Sequence, residues 1–468
     1  MLFTTKEFLL SLTVTVGLYF LLAPRFRPFL LLLASYGFYA AGEGGYLLLL
    51  LAVSVIAWLG GRGLDAVESP RGRKVVLGVT LLALFAPLMV FKYADFLMGG
   101  TGLAGPLGWS PLGLALPLGI SFFTFQGAGY VIDVYRRDYP AERGLLALLL
   151  YKAYFPQLIA GPIERAGRLL PQLVTVQSFD FRRIADGAGL LVWGLFKKLV
   201  IADNLAIYVS GVYADPQAHA GLPLVLATFF FAFQIYCDFS GYIDMARGMS
   251  RLFGIELMRN FDNPYAARSI TDFWRRWHIS LSTWFRDYVY IPLGGSRVAL
   301  PLQARNLLVV FLISGLWHGA AWTFVVWGAL HGALMAVTLL WRRWWPFAAP
   351  TGPAAILLGQ AATFIFVCIA WVFFRAASLD DAFHILTHAL PLTGGMAEFA
   401  RAAGASEAGA WILLAAILVL WAGQLLPKPM MLAAGGALSL RWAGAYAGIL
   451  AVLFLAPSEA DPFIYFRF

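Results

Sequence analysis

Long apolar runs, one after another and almost free of charge, leave this chain few ways to fold. They cover residues 8–23, 29–41, 46–61, 75–98, 112–134, 145–162, 187–209, 222–246, 306–317, 320–341, 354–374, 410–426 and 441–456. A helix needs about 20 apolar residues to cross a bilayer, and in lipid the backbone must satisfy its polar groups within helices or a closed barrel. These runs are continuous rather than alternating, which selects helices over strands. The expected fold class is all-α, a polytopic membrane protein of about 11–13 membrane segments. Composition agrees. Residues of the AVILMFWYC set make up 60% of the chain and charged residues 13%, against roughly 45–50% and about 25% in soluble domains. Neither an internal repeat nor a low-complexity linker divides it, so residues 1–468 read as a single domain.

The first run lacks a small-residue cleavage site, Lys6 is offset by Glu7, and a second run follows within a few residues. It therefore reads as a retained membrane helix rather than a secretory signal. Cys237 and Cys368 both fall inside apolar segments and support neither a disulfide framework nor a zinc cluster. The net charge of +9 resides largely in short loops between apolar runs. That pattern points to membrane orientation and anionic lipid, and away from nucleic acid. The bias places Arg62, Arg71, Arg73 and Lys74 in the cytoplasm, together with Arg136, Arg137 and Arg143. Residues 99–110 and 210–221 are expected to face outward, and 376–409 forms the longest external excursion. Arg165, Arg168, Arg182 and Arg183 again argue for the inside, so segment 145–162 begins and ends on one face. With Pro156, Gly161 and Pro162 in it, a re-entrant or tilted element is expected rather than a clean span.

Titratable groups at membrane depth are costly and so are functional candidates. Of six histidines, His219, His384 and His388 fall in the outer segments and read as solvated. His318 stands in Ser314-Gly315-Leu316-Trp317-His318-Gly319, some 12 residues after Asn306. That is about 18 Å of helix, short of the ~30 Å hydrocarbon core, so His318 is expected deep in the membrane. Its imidazole suits a general base, and the competing reading is a histidine that only hydrogen-bonds neighbouring helices. His278 lies in the basic region 247–305. There Phe273, Trp274, Trp277, Trp284, Phe285, Tyr288 and Tyr290 alternate with Arg275, Arg276, Arg286 and Asp287. Composition alone favours an interfacial anchor for that region. His278 is then either a polar residue of an interfacial helix or part of a donor-binding site. His331, beside Gly328 and Gly332, reads as small-residue helix packing plus one hydrogen bond. Asp133, Asp203, Asp238 and Asp244 lie in or beside apolar runs and read as structural partners. Walker, G-x-S-x-G, H-E-x-x-H and dinucleotide motifs do not occur. A broken helix with buried titratable groups also occurs in secondary transporters, which keeps a transporter or polymer flippase open.

The run Phe273-Trp274-Arg275-Arg276-Trp277-His278-Ile279-Ser280-Leu281-Ser282 is followed by Trp284-Phe285-Arg286-Asp287-Tyr288 and Ile291-Pro292-Leu293-Gly294-Gly295. With Gly315-Leu316-Trp317-His318-Gly319 and Trp327-Gly328-Ala329-Leu330-His331, it resembles the membrane-bound O-acyltransferase family, most strongly over 115–340. The resemblance implies helices ringing a central tunnel, with funnels from both faces. It implies His318 as the catalytic residue and His278 as a second functional histidine. Arg275, Arg276, Trp277, Trp317 and Asp287 are then expected to bind substrate. No bound metal or cofactor is implied; the acyl donor would be acetyl-CoA or an acyl carrier. The implied activity moves an acetyl group from a cytoplasmic donor across the cell inner membrane to a polysaccharide such as alginate. Periplasmic acetyltransferase partner proteins and membrane lipid complete the expected partners. D-alanyl or acetyl transfer to teichoic acid, peptidoglycan or cellulose is the alternative within the family.

Overall fold

The computed structural model describes residues 3–100, 105, 110–344, 352–425, 438–457 and 462–466. Among them no strand occurs, and every expected apolar segment falls wholly or partly on helix. The protein is an all-α, multi-pass membrane protein. Six helical stretches among the described residues are long and apolar enough to cross a membrane: Pro24–Ala66, Pro70–Gly99, Leu222–Leu252, Leu300–His318, Trp322–Trp344 and Pro353–Arg375. A helix pair bent by 107°, Met396–Ala402 and Glu407–Ala422, makes a seventh if counted as one span. Segment 441–456 falls on the 18-residue helix Leu438–Leu455, and the other expected segments on helices that are shorter or interrupted.

The chain divides into two compact units: residues 1–191 with 242–258, and residues 192–241 with 259–468. The first unit contains α1 (Lys6–Leu21), α2 (Arg27–Glu43), α3 (Leu47–Ala66), α4 (Pro70–Leu88) and α5 (Ala94–Gly100). After them come α6 (Ile120–Arg136), α7 (Leu145–Ala153), α8 (Phe155–Leu158), α9 (Ala166–Val174) and most of α10 (Phe181–Leu195). Helix α1 is packed into this unit, with Phe8 against Phe38 at 5.4 Å and Phe3 stacked on Tyr242 at 4.7 Å. Residues 110–119 are not helical, although the apolar run was expected to begin at 112. Pro111 and Pro117 lack backbone donors, and Gly113 (φ 58°) and Gly119 (φ 77°) are left-handed. A side chain at Gly119 would also lie 2.8 Å from the Leu158 carbonyl oxygen.

Segment 145–162 is broken twice, at Tyr154 (φ −50°, ψ 108°) and again after Leu158, where Gly161 and Pro162 lie outside helix. Pro156 opens the short helix α8, where its missing N–H costs nothing. Side chains satisfy this irregular backbone. Ser35 accepts from Phe155 N–H at 3.1 Å, and Gln126 donates to Tyr151 O at 2.9 Å. Tyr151 donates to Glu164 O at 2.8 Å, and the buried Lys152 ammonium donates to Phe123 O. Such cover is what non-helical backbone in a lipid environment requires.

The second unit carries α11 (Asp203–Ala214), the first part of α12 (Leu222–Leu252), and the short helices α13 (Ile270–Arg276) and α14 (Ile279–Phe285). Then come α15 (Leu300–His318), α16 (Trp322–Trp344), α17 (Pro353–Arg375), α18 (Leu379–His388), α19 (Met396–Ala402), α20 (Glu407–Leu425) and α21 (Leu438–Leu455). Two expectations change here. Helix α15 starts at Leu300, not near 306, and its 19 residues rise roughly 28 Å. Its first turns are polar yet anchored, with Gln303 donating to Val298 O at 2.8 Å and Asn306 donating to Leu293 O at 3.0 Å. His318 therefore ends a full-length helix rather than a half-length one. The aromatics of 270–290 divide: Trp274, Tyr288 and Tyr290 are half-buried, and the other four turn into the protein. Phe273, Trp277, Trp284 and Phe285 are all buried, and Trp277 lies among Phe261 (5.0 Å), Phe273 (5.6 Å) and Trp371 (5.1 Å).

Candidate active site

Glycines set the framework of the site. Helices α15 and α16 form a hairpin in which Gly315 faces the Phe324 carbonyl and Gly328 faces the Phe311 carbonyl. A methyl group would lie 2.2 Å from the first oxygen and 2.3 Å from the second, so only hydrogen fits at either position. His318 is the last residue of α15; Gly319 leaves the helix in extended backbone (φ −159°). The His318 imidazole is 3% exposed and meets four aromatic rings. Trp317 lies at 4.9 Å, Trp327 at 5.0 Å, Phe374 at 5.1 Å and Tyr465 at 5.7 Å between centroids.

His278 sits between α13 and α14 in the left-handed region (φ 45°, ψ 54°). That conformation costs a residue with a Cβ on the order of 1–3 kcal/mol and persists only where its surroundings fix it. Asn260 supplies the fixing. Its backbone oxygen accepts from Ile279 N–H at 2.9 Å, its Oδ1 accepts from Ser280 N–H at 2.8 Å, and its Nδ2 lies 3.3 Å from His278 Nδ1. Both Asn260 and His278 are fully buried. The His278 ring meets Phe239 at 4.7 Å, Trp317 at 5.9 Å and Tyr465 at 6.2 Å. Trp317 and Tyr465 thus stand beside both imidazoles, which brings the two expected histidines to one place.

Tyr465 and Asn260 were not anticipated. Tyr465 lies in Phe463-Ile464-Tyr465-Phe466, a dense aromatic cluster whose partners no local pattern reveals. Asp238 holds that segment, its Oδ2 accepting from Ile464 N–H at 2.7 Å. The other oxygen of Asp238 lies 2.7 Å from Lys198 Nζ, which reaches Asp203 Oδ1 at 2.7 Å as well. Asp203 and Asp238 are thus joined through a buried lysine.

His331 is fully buried on α16 and takes a hydrogen bond from Trp274 Nε1 at 3.3 Å, in keeping with a packing role. The proposed substrate-binding residues separate. Trp317 lies at the site. Arg275 is exposed, Arg276 is tied to Asp272 at 2.8 Å, and Asp287 is tied to Arg286 at 2.7 Å. Trp277 belongs to the aromatic stack with Trp371. His384 and His388 stack on one another at 4.0 Å on α18, and His384 Nε2 bonds the His219 carbonyl at 3.1 Å. Among the described residues, no group of three or more His, Cys, Asp or Glu side chains is placed to hold a metal ion.

Residues 141–379 match the sequence model of the membrane-bound O-acyltransferase (MBOAT) family. The "probable alginate O-acetylase" of Pseudomonas aeruginosa is 41% identical over 393 residues, 82% of this chain and 74% of that protein. The protein of the same description from Pseudomonas putida is 36% identical over the full length of both chains. The peptidoglycan O-acetyltransferase of Helicobacter pylori is 37% identical over 79% of this chain and 75% of its own.

Proposed function

Because the chain belongs to the membrane-bound O-acyltransferase family and is on that account an acyltransferase, we propose that it O-acetylates a cell-envelope polysaccharide. The observation that carries the chemistry is the meeting of His278 and His318 around Trp317 and Tyr465. In this reading a thioester, acetyl-CoA or an acyl carrier, delivers the acetyl group from the cytoplasm at the inner membrane. His318 takes the proton of an acceptor hydroxyl as the new C–O bond forms. A donor at His278 steadies the charge developing on the carbonyl oxygen. The C–S bond then breaks, and the leaving thiolate recovers its proton from His318. Aromatic walls keep water from competing as acceptor. The first acceptor hydroxyl belongs to a periplasmic partner; its acetyl ester is then attacked by a polymer hydroxyl, which keeps the acetyl group and returns the partner's hydroxyl.

The relatives support alginate as the acceptor first, and the Helicobacter pylori relative supports peptidoglycan second. Purified protein with an acetyl thioester in detergent, without any gradient, should acetylate added acceptor. His318→Ala should abolish this while the protein stays folded and membrane-inserted. Full turnover by His318→Ala would remove that residue from catalysis. Transport of polymer without any acetyl transfer would replace the enzyme reading with a flippase. Which polymer loses its acetyl groups in a deletion strain separates alginate from peptidoglycan.

A further inference from the structure

We propose that Asn260 is a positioning residue that locks His278 in its neutral, Nε2-protonated form, making it a hydrogen-bond donor rather than a base. The argument starts from a group with no freedom. The backbone N–H of Ser280 can only donate, and it meets the Asn260 side chain at 2.8 Å. The carbonyl oxygen of the amide must therefore face Ser280, and the amino group must face His278 Nδ1 at 3.3 Å. An amide amino group only donates, so Nδ1 must present a lone pair. A neutral imidazole with its lone pair on Nδ1 carries its proton on Nε2. An imidazolium would set an N–H against an NH₂, and His278 is fully buried, so the charged form is disfavoured twice.

The backbone serves the same end. Asn260 accepts the N–H groups of both Ile279 and Ser280, the two residues after the left-handed His278. One asparagine thus fixes the place of the ring and the nitrogen that bears its proton. The Nε2 proton lies on the side of the ring away from Asn260. The proposal rests on the acyl-transfer reading for what His278 does, but not for the proton's position.

The test has two arms. Nitrogen-15 NMR of histidine-labelled protein, with His278 assigned by its loss in His278→Gln, reads the protonated nitrogen directly. The expected result is Nε2–H across pH 5.5–8; protonation on Nδ1, or titration within that range, overturns the proposal whether or not acetyl transfer is found. In the second arm, Asn260→Asp keeps an acceptor for Ser280 but offers a carboxylate to Nδ1, which inverts the tautomer. The expected loss in kcat is about 100-fold or more, the scale of removing one oxyanion donor, with KM for the thioester little changed. A new limb should also appear in the pH profile. A purely structural Asn260 predicts near-normal kcat in the folded variant, and that result overturns the positioning role.

Discussion

Gly328→Ala probes how closely the α15–α16 hairpin must fit. The new methyl would lie 2.3 Å from the Phe311 carbonyl oxygen, 3.1 Å from its carbon and 3.3 Å from Leu312 Cα. All three are backbone atoms, so no side chain can rotate away. Ordinary contact begins near 3.4 Å, and α15 has to move off α16 by about 1 Å. Overpacking of this kind costs about 1–3 kcal/mol. The neighbouring Trp327 ring lies 5.0 Å from His318, so the shift reaches the imidazole, and misplacing a catalytic group by about 1 Å costs on the order of 100-fold in rate. Thermal unfolding in detergent together with thioester turnover reads both effects. Gly78→Ala is the control: Gly78 is exposed on α4 with nothing within 4 Å of the added methyl, and helix propensity predicts up to about 1 kcal/mol of stabilisation. Wild-type unfolding and turnover in Gly328→Ala would refute the close-packing argument.

Two further substitutions test buried charge. Burial raises the Glu164 carboxyl to about 7, against the lowering effect of Arg168 and the Met258 N–H. Folding therefore favours the protonated form. That contribution is complete below about pH 4.5 and is lost as pH rises through about 7. Glu164→Gln should match wild type near pH 5 and exceed it by up to about 3 kcal/mol at pH 8; equal unfolding temperatures at pH 8 contradict this. Lys198→Met strands two buried carboxylates that each lie 2.7 Å from the ammonium. It should cost about 3–5 kcal/mol, and adding Asp203→Asn with Asp238→Asn should recover part of the loss. A triple variant no more stable than the single one speaks against the ion network.

The membrane helices were legible because each rests on a local run of apolar residues. Where the run and the helix part company, the reason is local too. Gln303, Arg305 and Asn306 hid the first two turns of α15, although bonds to Val298 and Leu293 carry them. Aromatic density at 270–290 did not say which rings turn inward, because rings suit both a headgroup layer and a protein interior. Arg276, expected to bind substrate, also has a helical partner in Asp272 four residues earlier. His318 and the glycines around it were readable, since one hairpin carries them. Tyr465 and Asn260 were not, since they reach the histidines only through tertiary contacts.

That division bears on how the two histidines act. His318 is placed by a helix wedged with glycine, and His278 by a single asparagine on irregular backbone. Among the described residues, both rings meet Trp317 and Tyr465. If one moves the proton and the other steadies the oxygen of the same acetyl group, neither is of much use once its companion is gone. His278→Ala and His318→Ala should each reduce turnover by about 100-fold or more, and the double variant should be little worse than the poorer single one. Independent packing roles predict instead that the two losses multiply. Turnover of the three variants, corrected for folded fraction, separates these cases: a multiplicative double loss means that the histidines do not share one reacting group.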